Sequence, residues 1–174
     1  MRGISAVTEL FVVKGYASGN YLCLHEDPQW KTYINGSQAN INALIWGAEY
    51  RLENTGTNRN NIFSESNNGG NPLNYKPAPC AVCYVLGRST ILMVPARTQC
   101  PDGWTAEYAG YLASAYRGRT ESNYVCWDEA PEVAVGKTWQ RRASINPVDV
   151  QCGTLPCTLY IEGRELTCVV CSRW

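Results

Sequence analysis

The chain has 174 residues, enough for one domain of ordinary size or for two small units fused through a shared core. Its 15 basic and 15 acidic residues cancel, and Arg117-Gly118-Arg119 and Arg141-Arg142 are too short to make a basic patch, so no nucleic-acid partner is expected. No apolar run approaches the roughly 20 residues of a membrane-spanning helix, so no membrane span is expected either.

The first nine residues lack a continuous apolar core and carry Glu9 early, so they do not read as a secretion signal. Cysteine usage nevertheless argues for an oxidising compartment, and the expectation is a secreted protein in its mature form. Tyr, Trp, Thr, Val and Ile are frequent, while Gly, Pro and Asn punctuate at short intervals. Taken in chain order, strands are expected over residues 10–13, 21–24, 44–52, 81–86, 90–94, 108–112, 124–127, 159–162 and 166–171. Residues 106–116 are long enough for a helix, but their glycine-adjacent tyrosines read equally well as strand. The fold class is therefore mainly β, with little helix.

One segment occurs twice. Asn-Tyr-Leu-Cys-Leu-His-Glu-Asp-Pro-Gln at 20–29 returns as Asn-Tyr-Val-Cys-Trp-Asp-Glu-Ala-Pro-Glu at 123–132, an offset of 103 (123 − 20). Ile45-Trp46-Gly47-Ala48-Glu49 is echoed by Ile145-Asn146-Pro147-Val148-Asp149 at an offset of 100 (145 − 45). Cys80-Ala81-Val82-Cys83 is echoed by Cys168-Val169-Val170-Cys171 at an offset of 88 (168 − 80). Collinear echoes point to duplication. The expected organisation is two tandem homologous β-rich modules, 1–88 and 89–174, packed as one disulfide-stabilised unit with pseudo-two-fold symmetry. The shrinking offsets reflect extra residues in the first module, visible as an Asn-rich stretch over 54–74.

Nine cysteines include two C-x-x-C pairs, which in many chains hold zinc. Here each pair encloses strand-forming residues, and positions i and i+3 of a strand point to opposite faces. The two thiols of a pair then diverge toward separate partners, so disulfides are expected. Cys152 and Cys157 flank Gly153 and Pro156 and suit a small closed loop. The first module has no counterpart of Cys100. If Cys100 pairs with one member of Cys168/Cys171, the equivalent member of Cys80/Cys83 is left over. That thiol is then either buried and reduced or a link between two chains.

Catalytic signatures are missing: no nucleophile elbow, P-loop, His-Glu-x-x-His or dinucleotide fingerprint occurs. The lone histidine, His25, lies in the acidic run with Glu26 and Asp27 and reads as an exposed polar residue. A non-enzymatic binding role is expected. Six Trp and eleven Tyr against two Phe favour rings with a polar handle. A sugar packs its apolar face on such a ring and offers its hydroxyls to carboxylates and amides. The segment Trp127-Asp128-Glu129, with Glu121 and Asn123 close by, is the best local combination; Glu26-Asp27 with Trp30 is its first-module counterpart. Function confined to one copy should use residues that differ between copies, which favours Trp127, Asp128, Glu121 and Glu132 over the shared Glu129. The expected carbohydrate contacts are Trp127, Asn123 and Arg119. Calcium takes oxygen ligands, and the expected set is Glu121, Asp128, Glu129 and Glu132. The sequon Asn35-Gly36-Ser37 could carry a glycan in a secreted chain.

The strings Pro-Cys-Ala-Val-Cys-Tyr-Val, Met-Val-Pro-Ala-Arg-Thr-Gln-Cys-Pro and Glu-Leu-Thr-Cys-Val-Val-Cys, with segments 20–29, 45–50 and 100–112, resemble the C-terminal non-collagenous domain of invertebrate short-chain, spongin-type collagens. The resemblance spans nearly the whole chain. Having no Gly-X-Y tract, the chain is most similar to the stand-alone galactose-binding lectins of sea anemones in that group. It departs from the group near its start, where it has no early cysteine. The resemblance implies an extracellular, calcium-using homodimeric lectin for galactose-terminated glycans. A structural matrix module is the alternative.

Overall fold

The structure, a computed structural model, describes residues 4–15, 19–25, 27–32, 44–54, 57–58, 62–63, 73–116, 122–134, 143–156 and 158–174. Among them the chain is mainly β, with no α-helix. β-branched and aromatic residues, interrupted every few positions by Gly, Pro or Asn, favour short pleated segments over helices.

Two long strands organise the sheet. In the first half β1 (Ile4–Gly15) takes three antiparallel partners: β2 (Tyr21–Leu24), β3 (Ile45–Tyr50) and β6 (Pro79–Val85). A two-stranded hairpin of β4 (Glu53–Asn54) and β5 (Thr57–Asn58) lies between β3 and β6 in the chain. In the second half β8 (Thr105–Ser114) likewise takes β9 (Val125–Asp128), β10 (Ala143–Pro147) and β11 (Thr167–Arg173), all antiparallel. One further strand, β7 (Thr90–Pro95), pairs with the outer side of β11.

The pairing registers repeat as well. Val12 faces Cys23 where Leu112 faces Cys126, offsets of 100 (112 − 12) and 103 (126 − 23). Lys14 faces Trp46 where Ser114 faces Asn146, an offset of 100 on both strands (114 − 14, 146 − 46). Leu10 faces Cys80 where Gly110 faces Cys168, offsets of 100 (110 − 10) and 88 (168 − 80). These are the three offsets of the sequence echoes. Each long strand also carries an irregularity in this last ladder, between Val7 and Leu10 in β1 and between Ala106 and Tyr108 in β8.

Disulfides follow the same correspondence. Cys23–Cys80 ties β2 to β6, and Cys126–Cys168 ties β9 to β11 at the equivalent places. Cys171 pairs with Cys100, while its register equivalent Cys83 is a free, exposed thiol. Cys152 is disulfide-bonded too; its expected partner Cys157 lies outside the described residues.

The halves join through β3 and β10, which run parallel with Ala143 opposite Ala48 and Ile145 opposite Tyr50. The equivalent strands are thus adjacent but slid by five residues, since the pairing offset is 95 (145 − 50) and the repeat offset is 100. The shared asparagines also meet, with Asn123 donating its side-chain amide to Asn20 Oδ1 at 2.5 Å. A single core spans the junction: Tyr50, Leu52, Phe63, Leu73 and Ala78 from the first half, and Ala113, Trp127 and Ile145 from the second.

One expectation fails locally: residues 159–162, expected as a strand, lie in turns and bends. Residues 143–147 form β10, a strand not among those expected. Pro147 is tolerated at the last position of β10, where the ladder ends.

Gly110 tests this arrangement. A Cβ there would overlap the Trp127 carbonyl oxygen and sit 2.7 Å from the Glu129 nitrogen, so the β9 backbone lies where a side chain would be. Gly110→Ala is expected to destabilise by about 3 kcal/mol in equilibrium unfolding. Gly47→Ala, where a Cβ meets nothing within 4 Å, is expected to stay within about 0.5 kcal/mol of the parent.

Candidate functional site

The acidic segment that leaves β9 is positioned by strand alternation. Successive side chains of a strand point to opposite faces, so Trp127 turns into the core and Asp128 turns out to solvent. Beyond the strand, Ala109 accepts a hydrogen bond from the Glu129 backbone N–H at 3.1 Å. Asp128 Oδ1 accepts the Ala130 N–H at 2.8 Å, which closes a tight turn. The Tyr50 hydroxyl donates to the Glu132 carbonyl oxygen at 2.7 Å, and the Ala134 N–H donates to Pro77 at 3.0 Å. Residues 128–134 are therefore fastened to both halves, while the carboxylates of Asp128, Glu129 and Glu132 belong to exposed residues.

Three tyrosines border these carboxylates. Burial pushes the Tyr50 hydroxyl well above its ordinary pKa, with Glu132 and Asp128 adding to the rise. Tyr108 is raised by burial, by Asp128 and by the Cys83 thiol. Tyr111 is raised by burial, by Glu165 and by Glu129. Tyr108 donates to the Cys126 carbonyl at 3.2 Å and keeps part of its ring exposed. Tyr50 is buried and Tyr111, opposite Trp127, packs edge-on against Phe63, so Tyr108 is the part-exposed phenol ring on the face that carries Asp128.

The remaining expected residues are placed differently. Trp127, read from sequence as a sugar-stacking ring, is only 5% exposed. Its indole stacks on Tyr50 at 4.6 Å and 6° and packs against Phe63 at 4.4 Å, so its faces are taken up by protein. Its Nε1 is buried with no hydrogen-bond partner. Asn123 is exposed, and its amide is engaged by Asn20. Arg119 and Glu121 lie outside the described residues, as do Glu26, most of the Asn-rich stretch and the sequon at Asn35.

Oxygen donors of this type suit calcium, but among the described residues no three His, Cys, Asp or Glu side chains gather closely enough to hold a metal ion. In the first half, His25 Nδ1 accepts the Asp27 N–H at 3.0 Å, and Trp30 is 77% exposed. Tyr108 was not singled out by sequence reasoning. The register that places Gly110 opposite Asp128 sets Tyr108 on the Asp128 face, while Tyr111, opposite Trp127, turns to the core, and no local motif marks either. No protein-family model matches the chain, and no solved structure matches it.

Four tyrosines give a pH signature. Burial pushes Tyr21 up to about 12, and Tyr50, Tyr108 and Tyr111 are raised as well. A hydroxyl held above the unfolded value of 10.0 binds its proton more tightly in the folded state. Its contribution is intact below that value and is lost as pH climbs through the folded one. Thermal stability is expected to fall from about pH 10 toward pH 12. An absorbance titration of phenolate should show these four ionising late in the folded chain. A Tm that does not change over that window would contradict the assignment.

Proposed function

We propose that the chain is an extracellular carbohydrate-binding protein that takes terminal β-galactose at the carboxylate–tyrosine rim beyond β9. The carrying observation is the exposure of Asp128, Glu129 and Glu132, with the part-exposed Tyr108 on the Asp128 face of the sheet. Carboxylates accept hydroxyl hydrogen bonds more strongly than neutral groups do, and a half-exposed phenol ring offers a face to the apolar side of a sugar. Sequence resemblance to galactose-binding lectins supports the same reading, and the disulfides of Cys23–Cys80, Cys100–Cys171 and Cys126–Cys168 suit an oxidising, extracellular setting. Calcium belongs to this reading through the resemblance and the oxygen chemistry of Asp128, Glu129, Glu132 and Glu121, and it would supply a centre for neighbouring sugar hydroxyls. A homodimer would present two rims and raise effective affinity for galactose-terminated surfaces without new contacts.

A structural extracellular-matrix module is the second reading. It is favoured by the exposed apolar residues of β6 and β7, which suit association more than sugar recognition.

Lactose titration calorimetry at millimolar calcium, repeated with a chelator, separates the readings. Asp128→Asn is expected to weaken lactose binding about tenfold, the effect of losing one charge-assisted hydrogen bond. Asp27→Asn is expected to leave it unchanged. Equal affinities for both variants and the parent would move the site away from the rim, with the exposed Trp30 segment next in line. Absence of binding to any sugar on a glycan array would leave the matrix reading. Release of product from an aryl galactoside would point to a hydrolase.

A further inference from the structure

The two halves differ at one edge. In the second half β11 lies between two strands: β8 on one side and β7 on the other, where β7 pairs antiparallel from Cys168 to Arg173. Its equivalent β6 pairs, among the described residues, with β1 alone. The position that β7 fills against β11 has, among the described residues, no occupant against β6. Edge strands usually carry a charge, a bulge or a covering element that blocks further pairing. β6 reads Pro-Cys-Ala-Val-Cys-Tyr-Val, with no charge, and the irregularity in its ladder falls on β1. Ala81, Val82, Cys83 and Tyr84 are all exposed, so both faces of the strand are open, with Val82 at 54% and Tyr84 at 64%. Exposed apolar side chains continue through Leu86 to Ile91 and Leu92 of β7.

We infer that this edge is the interface between two copies of the chain, formed by antiparallel pairing of β6 with β6 of a second copy and centred on Cys83. An uncharged strand pairs with itself across a two-fold axis without opposing like charges. With Cys83 facing its own counterpart, Val82 faces Tyr84 of the second copy and Tyr84 faces Val82, an aromatic–β-branched pair on each side of the axis. Ala81 faces Val85 in the same register.

Directly opposed residues of an antiparallel pair have Cα atoms about 4.5 to 5.5 Å apart, within the roughly 4.4 to 6.8 Å that a disulfide spans. The two Cys83 thiols are therefore in bonding range. Oxidation removes two protons and two electrons from the pair. A small-molecule disulfide such as oxidised glutathione accepts them and leaves as two thiols. The proximity of Cys83 to Tyr108 sets the seam beside the acidic rim. The dimer specified here is the one assumed in the lectin reading, but its test uses no sugar, so either can fail alone.

The test is light scattering after size exclusion, with denaturing electrophoresis run with and without reductant. The parent, incubated with a glutathione redox mixture, is expected at twice the chain mass without reductant and at the chain mass with it. Peptide mapping should show a Cys83–Cys83 link. Cys83→Ser should keep the dimer in native sizing and lose the covalent band. Val82→Lys should be monomeric with the parent's Tm, and Tyr84→Lys serves the same purpose if Val82→Lys does not fold. A parent that is monomeric at about 100 μM, well above the micromolar dissociation constant of a weak specific complex, with Cys83 capped only by glutathione would overturn the inference. So would a dimer that survives both lysine substitutions, because another face would then be responsible.

Discussion

The stack of Tyr50 on Trp127 is the contact on which the rest of the structure depends. One ring comes from the end of β3 and the other from β9, so it bridges the two halves of the chain. Phe63 closes on the indole, and Leu52, Leu73, Ala78, Ala113 and Ile145 fill the space around the three rings. Each half lends aromatic rings to a common core, Tyr50 and Phe63 from one and Trp127 from the other. The parallel pairing of β3 with β10 serves the same contact, because it sets Tyr50 beside Ile145. Gly110 is a consequence too: the β9 backbone presses so close to β8 that no side chain fits there.

This core also fixes where the acidic segment goes. Trp127 and Asp128 are neighbours on a strand, so burying the indole forces the carboxylate outward. The Tyr50 hydroxyl, at the far end of the stacked ring, anchors the Glu132 carbonyl. The rim is thus displayed by the same rings that hold the halves together. Aromatic richness in the sequence was compatible with core and with binding, and local composition could not divide the rings between the two. Strand alternation at Trp127-Asp128 contains part of the answer. The rest depends on which face of β9 meets the core, a tertiary fact. Leu24, the counterpart of Trp127 at an offset of 103 (127 − 24), is exposed, so equivalent positions do not share a burial state.

Much of the fold was legible because its signals are local. The stretches at 21–24 and 90–94 are strands nearly as read, whereas the stretch read at 10–13 is only part of the 12-residue β1 that begins at Ile4. Residues 106–116, open between helix and strand, lie mostly in β8. Cysteine spacing carried further, since opposed faces of a C-x-x-C strand require two different partners, and Cys168 and Cys171 have them. Counting cysteines left Cys80 or Cys83 over; the structure chooses Cys83 and exposes it. The strand at 143–147 was hidden by Asn146-Pro147, whose turn chemistry is overridden by pairing with β3 and β8. At 159–162 the converse holds: Leu159 and Ile161 look like strand residues, but they are exposed and lie in turns between Pro156 and Gly163.

The inequality of the two halves carries more weight for the proposed function than their likeness. Equivalent registers and equivalent disulfides show which positions the fold requires: Cys23 with Cys80, Cys126 with Cys168, and the two asparagines that meet at the junction. What the fold does not require is free to diverge. His25 and Asp27 in one copy stand against Asp128 and Ala130 in the other. Cys171 is sealed by Cys100 and covered by β7, while Cys83 has neither a bonded partner nor, among the described residues, a strand outside it. Burial, Asp128 and the Cys83 thiol all raise Tyr108. A surface where divergent charge lies beside an open strand edge is under weak constraint from folding. Its chemistry is therefore what the proposed recognition role draws on.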